Sequence, residues 1–367
     1  MIKKRRASGF FLASVLSLTA SVSLAETVAV GSPLITPAMR VAAPGNAVLI
    51  DLARAADRLV AVGERGIIVL SDDNGRSWRQ VPVPVSVTLS AVQFVDAQRG
   101  WVVGHAGTVL ATVDGGESWR VQLSGLQAAN IELQEALAEK SNATNAEYAD
   151  IRLESAERLI SDGPDKPFLA VHFFDSKRGM VVGAYGMAFA TKDGGANWYS
   201  LMGRIENPSL LHIYAIAEKD GLLFLAGEQG YLARSVNDGE SFKQLQSPYE
   251  GSFFVASVRE DGALLVAGLK GHAYLSSDDG ETFNRIAVSS PISFSSAKRL
   301  VNGSLLLANQ AGASFTSTHS SGVVLRSIGK PSGIPVSSLI EAADGSLIAA
   351  GFTGLSRLPQ PAVSASE

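Results

Sequence analysis

The chain has no cysteine among its 367 residues, so disulfide bonds, thiolate metal ligands and cysteine-linked lipid anchors are excluded. Histidine is also scarce, and the histidines are dispersed without the spacing of a metal site. They are His105, His172, His212, His272 and His319. No Gly-x-Ser-x-Gly elbow of a serine hydrolase occurs. The sequence therefore predicts no bound metal and no cofactor.

An excess of basic charge is missing as well. The chain has 31 Lys and Arg residues against 35 Asp and Glu residues. Because nucleic-acid binding depends on Lys and Arg side chains that neutralise phosphates, nucleic acid is not an expected partner. After the N-terminus, no apolar run is long enough to cross a membrane. We expect a monomer that does not insert directly into a membrane.

The N-terminus has the pattern of a secretory signal. The basic start Lys3–Arg6 precedes an apolar run from Phe10 to Ala20, and the small residues Ser23 and Ala25 follow. This order predicts a signal peptide over residues 1–25 with cleavage after Ala25. A transmembrane anchor is the alternative, but the run is short and is interrupted by Ser and Thr. We expect the mature protein to be soluble and periplasmic.

Two short motifs recur along the rest of the chain. An Asp/Gly-rich turn followed by an aromatic residue is found at residues 71–78, 112–119, 191–198, 235–242 and 277–283. A Gly-x-x-Gly turn recurs about every 40 residues. Its copies begin at residues 63, 104, 183, 227, 268, 309 and 351, with Asn309 in place of one glycine. Seven units of short strands joined by such turns predict an all-β protein, a seven-bladed β-propeller with four strands in each blade.

The Asp/Gly turns are predicted to join the third and fourth strands of each blade. In such a turn the glycine accepts a positive φ, the acidic side chain accepts bonds from turn amides, and the aromatic residue packs between blades. These structural roles are assigned to Asp73, Gly75, Trp78, Asp114, Gly116, Trp119, Asp193, Gly195, Trp198, Asp238, Gly239, Phe242, Asp279, Gly280 and Phe283. The run Asp72–Gly75 faintly resembles a calcium loop but lacks the downstream Glu, so we favour a structural turn.

The propeller is predicted to span residues 45–360, with a disordered tail over residues 361–367. Its last unit supplies three strands and then reads Pro359-Gln360-Pro361. Because a propeller must close to protect its strand edges, we predict that the N-terminal segment, residues 26–44, contributes the missing strand from within residues 27–43.

An insertion over residues 126–166 separates the second and third blades. Residues 127–140 and 147–160 are rich in Ala, Leu, Glu and Gln, and their apolar residues have imperfect helical spacing. The polar run Ser141–Asn145 can end the first helix and cap the second. The pattern favours a helical hairpin or one bent helix, and a solvated loop is the alternative.

The strand order predicts which turns share a face. In a four-stranded meander, the turns after the second strand lie on the same face as the links between blades. We call this the channel face, and the opposite face, with the Asp/Gly turns, the Asp-box face. Polar residues of the Gly-x-x-Gly turns are therefore candidates for binding a partner around the channel, beside the inserted helices. They are Glu64, Arg65, His105, Tyr185, Glu228, Gln229 and Lys270. The alternative is that turns are polar because they are exposed.

The Asp/Gly turns resemble the Asp-box of bacterial neuraminidase repeats, which occurs in sialidases and in many non-enzymes. A sialidase needs three arginines for the substrate carboxylate, a Tyr–Glu nucleophile pair and an acid. The sequence has no Arg-Ile-Pro motif, and seven blades exceed the six of that family. Arg99 and Arg178 fall on the Asp-box face. We expect a protein that is not an enzyme, with a sialidase-type glycoside hydrolase or a glycan-binding propeller as the alternative.

Residues 91–119, from Ala91-Val92-Gln93-Phe94 to Asp114-Gly115-Gly116-Glu117-Ser118-Trp119, together with residues 170–183, resemble the photosystem II stability/assembly factor family. The resemblance covers roughly residues 47–358 and implies a non-enzymatic propeller that binds a membrane protein during assembly. The insertion and the degenerate sixth and seventh units depart from the photosynthetic pattern. The expected partner is a membrane-protein complex of the cell envelope, such as a transporter.

Overall fold

The structure, a computed structural model, describes residues 32–142, 146–288, 290–317 and 325–358. These residues form seven antiparallel sheets, each a simple meander, so the prediction of a seven-bladed β-propeller is confirmed. The predicted signal peptide and the predicted tail lie outside the described residues. Within the described part of the chain, no helix is both long enough and apolar enough to span a membrane.

The blades follow each other in chain order. Blade 1 consists of β1 (Leu49–Ala55), β2 (Arg58–Gly63), β3 (Ile68–Ser71) and β4 (Arg79–Gln80). Blade 2 consists of β5 (Leu89–Phe94), β6 (Gly100–Gly104), β7 (Thr108–Thr112) and β8 (Arg120–Leu123). Blade 3 consists of β9 (Phe168–Phe173), β10 (Gly179–Gly183), β11 (Ala188–Thr191) and β12 (Tyr199–Ser200). Blade 4 consists of β13 (Ile213–Lys219), β14 (Leu222–Gly227), β15 (Leu232–Ser235) and β16 (Lys243–Gln244). Blade 5 consists of β17 (Phe253–Val258), β18 (Leu264–Gly268), β19 (Ala273–Ser276) and β20 (Asn284–Ile286). Blade 6 consists of β21 (Phe294–Arg299), β22 (Leu305–Asn309), β23 (Ser314–Ser317) and β24 (Leu325–Ile328). Blade 7 consists of β25 (Val336–Glu341), β26 (Leu347–Gly351) and β27 (Gly354–Leu358).

The first strand of every blade lines the central channel and contacts the first strands of both neighbouring blades. Polar side chains join these strands across blade boundaries. Asp51 of blade 1 accepts the backbone N–H of Val92 of blade 2 at 3.0 Å and the hydroxyl of Ser338 of blade 7 at 2.8 Å. The ammonium group of Lys298 of blade 6 lies 3.1 Å from the same carboxylate. The ring is thus closed through its innermost strands.

The predicted closure of the last blade is not found in the described residues. Blade 7 has three strands, and residues 32–43 form none; residues 27–31 lie outside the described part. Instead, Ala38 N–H donates to Val83 O and Ser86 N–H donates to Pro33 O, so this segment runs along the link after blade 1. Prolines within the segment lack the amide donors of a regular strand, and the ring already closes between blades 7 and 1 on the inner strands.

The Asp-box turns correct two sequence assignments. In blade 2, Asp114 accepts the N–H and hydroxyl of Ser118 and the hydroxyl of Thr112, two residues earlier. The corresponding acceptors in blades 4 and 5 are Asn237 and Asp278, not Asp238 and Asp279. Asp238 and Asp279 occupy the next position, where φ is positive, because Asp tolerates the left-handed region better than most residues. The register is set by the Ser or Thr two residues before the acceptor.

The aromatic residues of these turns pack against the preceding blade, as predicted. Trp119 and Trp198 are buried and Phe242 is almost fully buried, whereas Trp78 and Phe283 are half-buried. Trp119 shares an apolar cluster with Val60 and Leu70 of blade 1, and its indole N–H donates to Gly116 O at 3.0 Å. The recurring aromatic residues are therefore explained by packing.

The insertion forms a helical hairpin, as predicted. Helix α1 spans Gly125–Asn142 and α2 spans Ala146–Asp162; residues 143–145 between them are outside the described part. Ser124 and Gln127 form a capping box at the start of α1, in which Gln127 Oε1 accepts the Ser124 N–H at 2.9 Å. The hairpin follows β8 and precedes β9, so it belongs to a link between blades and starts on the channel face.

Candidate functional site

The Gly-x-x-Gly turns of the channel face hold one exposed side chain in an unusual backbone conformation. The third residue has φ between 50° and 56° in five blades. These residues are Arg65, Ala106, Tyr185, Gln229 and Lys270. A residue with a Cβ pays a steric penalty in this left-handed region. Arg65, Tyr185, Gln229 and Lys270 are exposed, so the turn directs them into solvent and not into the core.

The seven predicted site residues divide into two groups. Glu64 accepts the N–H of Val48 at 3.0 Å, and Glu228 accepts the N–H of His212 at 3.2 Å. Both carboxylates therefore tie their turn to the start of the first strand in the same blade, which is a structural role. Arg65, His105, Tyr185, Gln229 and Lys270 are exposed on the channel face. None of the seven lies on the channel wall, so they surround the opening at a distance from it.

A row of aromatic rings leads from the blade 3 turn to the channel, and the sequence analysis missed it. The ring of Tyr185 lies 4.9 Å from that of His212, which lies 6.2 Å from Tyr214, and Tyr214 lies 5.5 Å from Phe254. Tyr214 and Phe254 line the channel, while the Tyr185 side chain is 52% exposed. The ammonium group of Lys166 lies 5.4 Å from the Tyr185 ring centre. Such rings offer broad contact area at low entropic cost.

The sequence contained one signal for this row. Tyr214 and Phe254 stand one residue after the start of β13 and β17, where the first strand of a blade turns a side chain toward the channel. Their proximity to Tyr185 depends on the distance between neighbouring blades, which no local pattern specifies. His212 is positioned by Glu228, whose carboxylate lies 3.0 Å from its Nδ1.

The central channel has a volume of about 1270 Å³ and a mixed polar and apolar wall. His172 on β9 faces a largely buried environment, and its Nε2 has no hydrogen-bond partner among the described residues. Burial lowers the pKa of His172, and the charge of Glu218 opposes this only in part. The imidazole is therefore neutral at physiological pH. His172 therefore presents an uncharged polar group to this part of the channel wall.

The arginines considered for a sialidase site are engaged elsewhere. Arg99 pairs with Asp96 at 3.5 Å and Arg178 pairs with Asp175 at 2.9 Å, each within its own turn on the Asp-box face. Among the described residues lining the channel, the arginines are Arg259 and Arg299, and Arg259 is held by Asp261. The three-arginine cluster of a sialidase is not formed by these residues.

The hairpin is fixed to the rim of blade 3 by a buried charge. The Glu132 side chain is almost completely buried and receives two bonds from Arg152, at 2.9 and 3.0 Å, and a short one from the Ser200 hydroxyl. Burial alone would lower the pKa of Arg152, but bonds and charges from Glu132 and Glu139 raise it above its usual value. A side chain at Gly203 would collide with this guanidinium.

The hairpin does not cover the channel. Of the described residues that line the channel, none comes from α1 or α2. Ala128 and Ala129 are buried against Phe168 and Met187, so α1 starts between blades 2 and 3 and then crosses toward β12. The hairpin therefore lies beside the channel face as a rim element, where it can contact a partner but does not close the opening.

No metal centre is indicated by the geometry. The part of the chain that the structure describes contains no group of three or more His, Asp or Glu side chains close enough to hold a metal ion. On the Asp-box face, the carboxylates of Asp73, Asp114, Asp193 and Asp278 accept bonds from their own turns, so these four are used for folding.

Residues 70–142 match the model of a family described as Photosynthesis system II assembly factor YCF48. No curated protein matches the chain. The solved structure of YCF48 bound to D1 peptide is 15% identical, covering 88% of this chain and 99% of that one with a TM-score of 0.61. YCF48 from Cyanidioschyzon merolae is 14% identical over 86% and 96%, with a TM-score of 0.60. A streptogramin B lyase is 11% identical over 89% and 99%, with a TM-score of 0.63.

Residues 70–142 thus resemble the YCF48 family, the described chain has the propeller fold of the solved YCF48 structures, and the resemblance predicted from residues 91–119 is confirmed. The matched region runs from the third strand of blade 1 into helix α1. The structural likenesses, at 11–15% identity, show the fold alone, since a lyase shares it as fully as an assembly factor does. The function must therefore be argued from this chain's own surfaces.

Proposed function

We propose that this protein is an exported, non-enzymatic scaffold that binds a membrane-protein complex of the cell envelope through its channel face. The observation that carries the proposal is the set of exposed side chains on left-handed backbone at Arg65, Tyr185, Gln229 and Lys270. Left-handed backbone that recurs on one face and holds side chains of different chemistry in solvent supports a recognition surface there.

The aromatic row supports a protein segment as the ligand. Tyr185, which is exposed beside the channel, and the half-buried rings that follow it can give an extended peptide chain apolar contact. A propeller of the same fold, YCF48, is known in complex with D1 peptide. The family description as an assembly factor is consistent with a partner that is a membrane protein.

The compartment and the partner class come from the sequence. The signal-like N-terminus supports export to the periplasm, where a transporter or another envelope complex would be the client, and we propose that the scaffold acts as a monomer. A sialidase-type enzyme is the weaker hypothesis, because Arg99, Arg178 and Arg259 are already paired with Asp96, Asp175 and Asp261.

The proposal is tested by crosslinking in cells. Photoreactive residues are placed at His105, Tyr185 and Lys270, and adducts are identified by mass spectrometry. We expect one abundant membrane-protein adduct shared by the three positions. The matched control carries the photoreactive residue at Gln98, which is also exposed but lies on the Asp-box face.

Two results would contradict the proposal. One is the absence of a protein adduct at all three channel-face positions, and the other is the same adduct at Gln98 in equal yield. Binding of an oligosaccharide by the purified protein, lost in a Tyr214→Ala variant, would instead favour the glycan-binding alternative.

A further inference from the structure

The outer side of the helical hairpin carries an apolar stripe beside an acidic stripe. On α1, Leu126, Leu133 and Leu137 recur at helical spacing; Leu126 is 49% exposed, Leu137 is 44% exposed, and Leu133 is half-buried. On α2, Asp150, Glu154 and Glu157 recur at the same spacing and are exposed. Leu133 packs against Leu153 and Ala156 of α2, whereas Leu126 and Leu137 on either side of it are exposed. Exposed leucines that line up on one side of a helix can mark an interaction surface.

A contact between the helices shows that both stripes face the same way. Lys140, one turn after Leu137, places its ammonium group 2.9 Å from Asp150. The hydrogen bond and charge of Asp150, with smaller contributions from Glu157 and Glu154, raise the pKa of Lys140. Asp150 therefore lies beside the C-terminal end of α1, and Glu154 and Glu157 continue the acidic stripe from there along the same side of α2. The opposite side is occupied by the bonds of Arg152 to Glu132, which face Ser200 of the propeller.

The exposed charge of this surface is mainly acidic. Residues 125–162 contain eight acidic and three basic side chains. Glu132 and Glu139 bond Arg152 and Glu135 bonds Ser200, so the acids of the outer stripe are Asp150, Glu154 and Glu157. Two of the basic side chains are already paired, Lys140 with Asp150 and Arg152 with Glu132. Such a surface repels anionic lipids and nucleic acids, and attracts a segment that has cationic residues next to apolar ones.

We propose that the outer side of the hairpin docks a cationic amphipathic helix of the partner complex. The helix would place its apolar side on the leucine stripe and its Lys or Arg residues against Glu154 and Glu157, a helix-in-groove mode of recognition. The proposal rests on the scaffold function above and gives its second contact a defined chemistry. The buried Glu132–Arg152 pair supplies the rigid support that a preorganised docking surface needs.

The experiment uses the full mature protein and two labelled amphipathic peptides with the same leucine positions, one with Lys and one with Glu on the polar side. Fluorescence anisotropy at physiological salt measures the two affinities. We expect the Leu/Lys peptide to bind at least about ten-fold more tightly than the Leu/Glu peptide, because like charges across an interface are strongly unfavourable. The E154K/E157K variant should reverse the preference, and Leu137→Asn should weaken both peptides.

Matched controls separate this surface from general acidity. Glu250→Lys changes an exposed acid away from the hairpin, and Ile151→Asn changes an apolar residue that is 58% exposed but lies about 100° around α2 from Asp150. Neither should alter the preference by more than about two-fold. The inference is overturned if the preference for the Leu/Lys peptide is absent, survives E154K/E157K, or falls equally in Glu250→Lys.

The crosslinking result keeps the two proposals distinguishable. A membrane-protein adduct at Tyr185 together with no effect of E154K/E157K on peptide binding removes the hairpin inference and leaves the scaffold function standing. A charge-specific hairpin without any adduct at Tyr185 contradicts the channel-face proposal and makes the hairpin the primary contact.

Discussion

The two faces of this propeller use their turns in opposite ways. On the Asp-box face, one Asp or Asn side chain in each of the five turns binds its own turn: in blade 3, Asp193 accepts the N–H and the side-chain amide of Asn197 and the hydroxyl of Thr191. On the channel face, Tyr185 of the same blade extends from a left-handed residue into solvent. One face repeats because it must fold, and the other varies from blade to blade.

This contrast shows where to look for function in a repeat protein. A residue type that recurs at one position in every blade is explained by packing or hydrogen bonding, as Trp119 and Trp198 are. The third residue of the channel-face turn is Arg, Ala, Tyr, Gln or Lys, and no common structural role accounts for that choice. Variation at a constant, exposed backbone position is therefore the more informative feature.

The contrast between the two faces is tested most strongly by truncating one aromatic residue in a turn of each face. Trp119→Ala should lower the free energy of unfolding by about 3–5 kcal/mol, because it leaves a cavity in the cluster between blades 1 and 2. Tyr185→Ala should change it by less than about 0.5 kcal/mol, because the ring is 52% exposed. Urea unfolding followed by circular dichroism measures both. Equal losses would show that the channel face is built as a core.

The hairpin anchor should give the next largest effect. Glu132→Ala removes one partner of a buried ion pair and leaves the Arg152 guanidinium with Glu139 alone, so we expect a loss of about 3 kcal/mol in the stability of the hairpin. Limited proteolysis between α1 and α2, together with hydrogen exchange, measures the local opening.

Glu157→Ala is the control for that prediction, since its carboxylate is exposed and stabilises by less than about 1 kcal/mol. Unchanged protection in Glu132→Ala would mean that the apolar contacts of Ala128 and Ala129 alone hold the hairpin.

The sequence predicted those parts of the molecule that local patterns determine. Seven blades, the Asp/Gly turns and both helices follow from periodicity and turn chemistry, because each is decided within a few residues. The choice of Asn237 and Asp278 over their neighbours could have been made from the preceding Ser235 and Ser276. The Asp-box register was therefore available in the sequence and was missed.

Other features depend on distances between blades and had no local signal. The roles of Glu64 and Glu228 as acceptors for the first strand could not be separated from a binding role, because an exposed turn acid looks the same in both cases. The aromatic row joins residues of three blades. The fourth strand expected for blade 7 was inferred from the need for closure, which the inner strands meet through Ser337 and Ser338.

Removing backbone strain on the channel face should have a smaller effect on stability, and should raise stability where most substitutions lower it. Lys270 has φ 55°, and its N–H donates to the Ser293 hydroxyl at 3.1 Å. Lys270→Gly keeps that bond and removes the steric cost of the left-handed backbone. Because this cost outweighs the added freedom of the unfolded chain, we expect the free energy of unfolding to rise by about 0.5 kcal/mol. The crosslink from Tyr185, two blades away on the same face, should weaken in the same variant if Lys270 binds the partner.

Ala273→Gly is the matched control, because Ala273 lies in β19 with ordinary strand geometry and should lose about 0.5–1 kcal/mol. A loss of stability in Lys270→Gly would show that the lysine side chain supports the fold, and its position would no longer favour recognition.

The smallest effect concerns the acids of the Asp-box face at low pH. Bonds from the Thr282 side chain and backbone, with a further one from Ser276, lower the pKa of Asp278 to about 2 from its ordinary value of 3.8. Because the folded-state pKa is the lower one, the stabilisation is complete above pH 3.8 and is lost as the pH falls through about 2. Blade 4 already holds Asn237 at this position, where its Oδ1 accepts the Ser241 N–H and its amide donates to the Ser241 hydroxyl, so Asp278→Asn should fold normally. Urea unfolding between pH 2 and pH 7 should then show a shallower loss of stability for Asp278→Asn than for the unmodified chain below pH 4. Parallel profiles would mean that the charge of Asp278 does not contribute to stability and that its turn depends on hydrogen-bond geometry alone. The turns of the Asp-box face would then tolerate a change of side-chain charge, and their contrast with the channel face would be one of geometry alone.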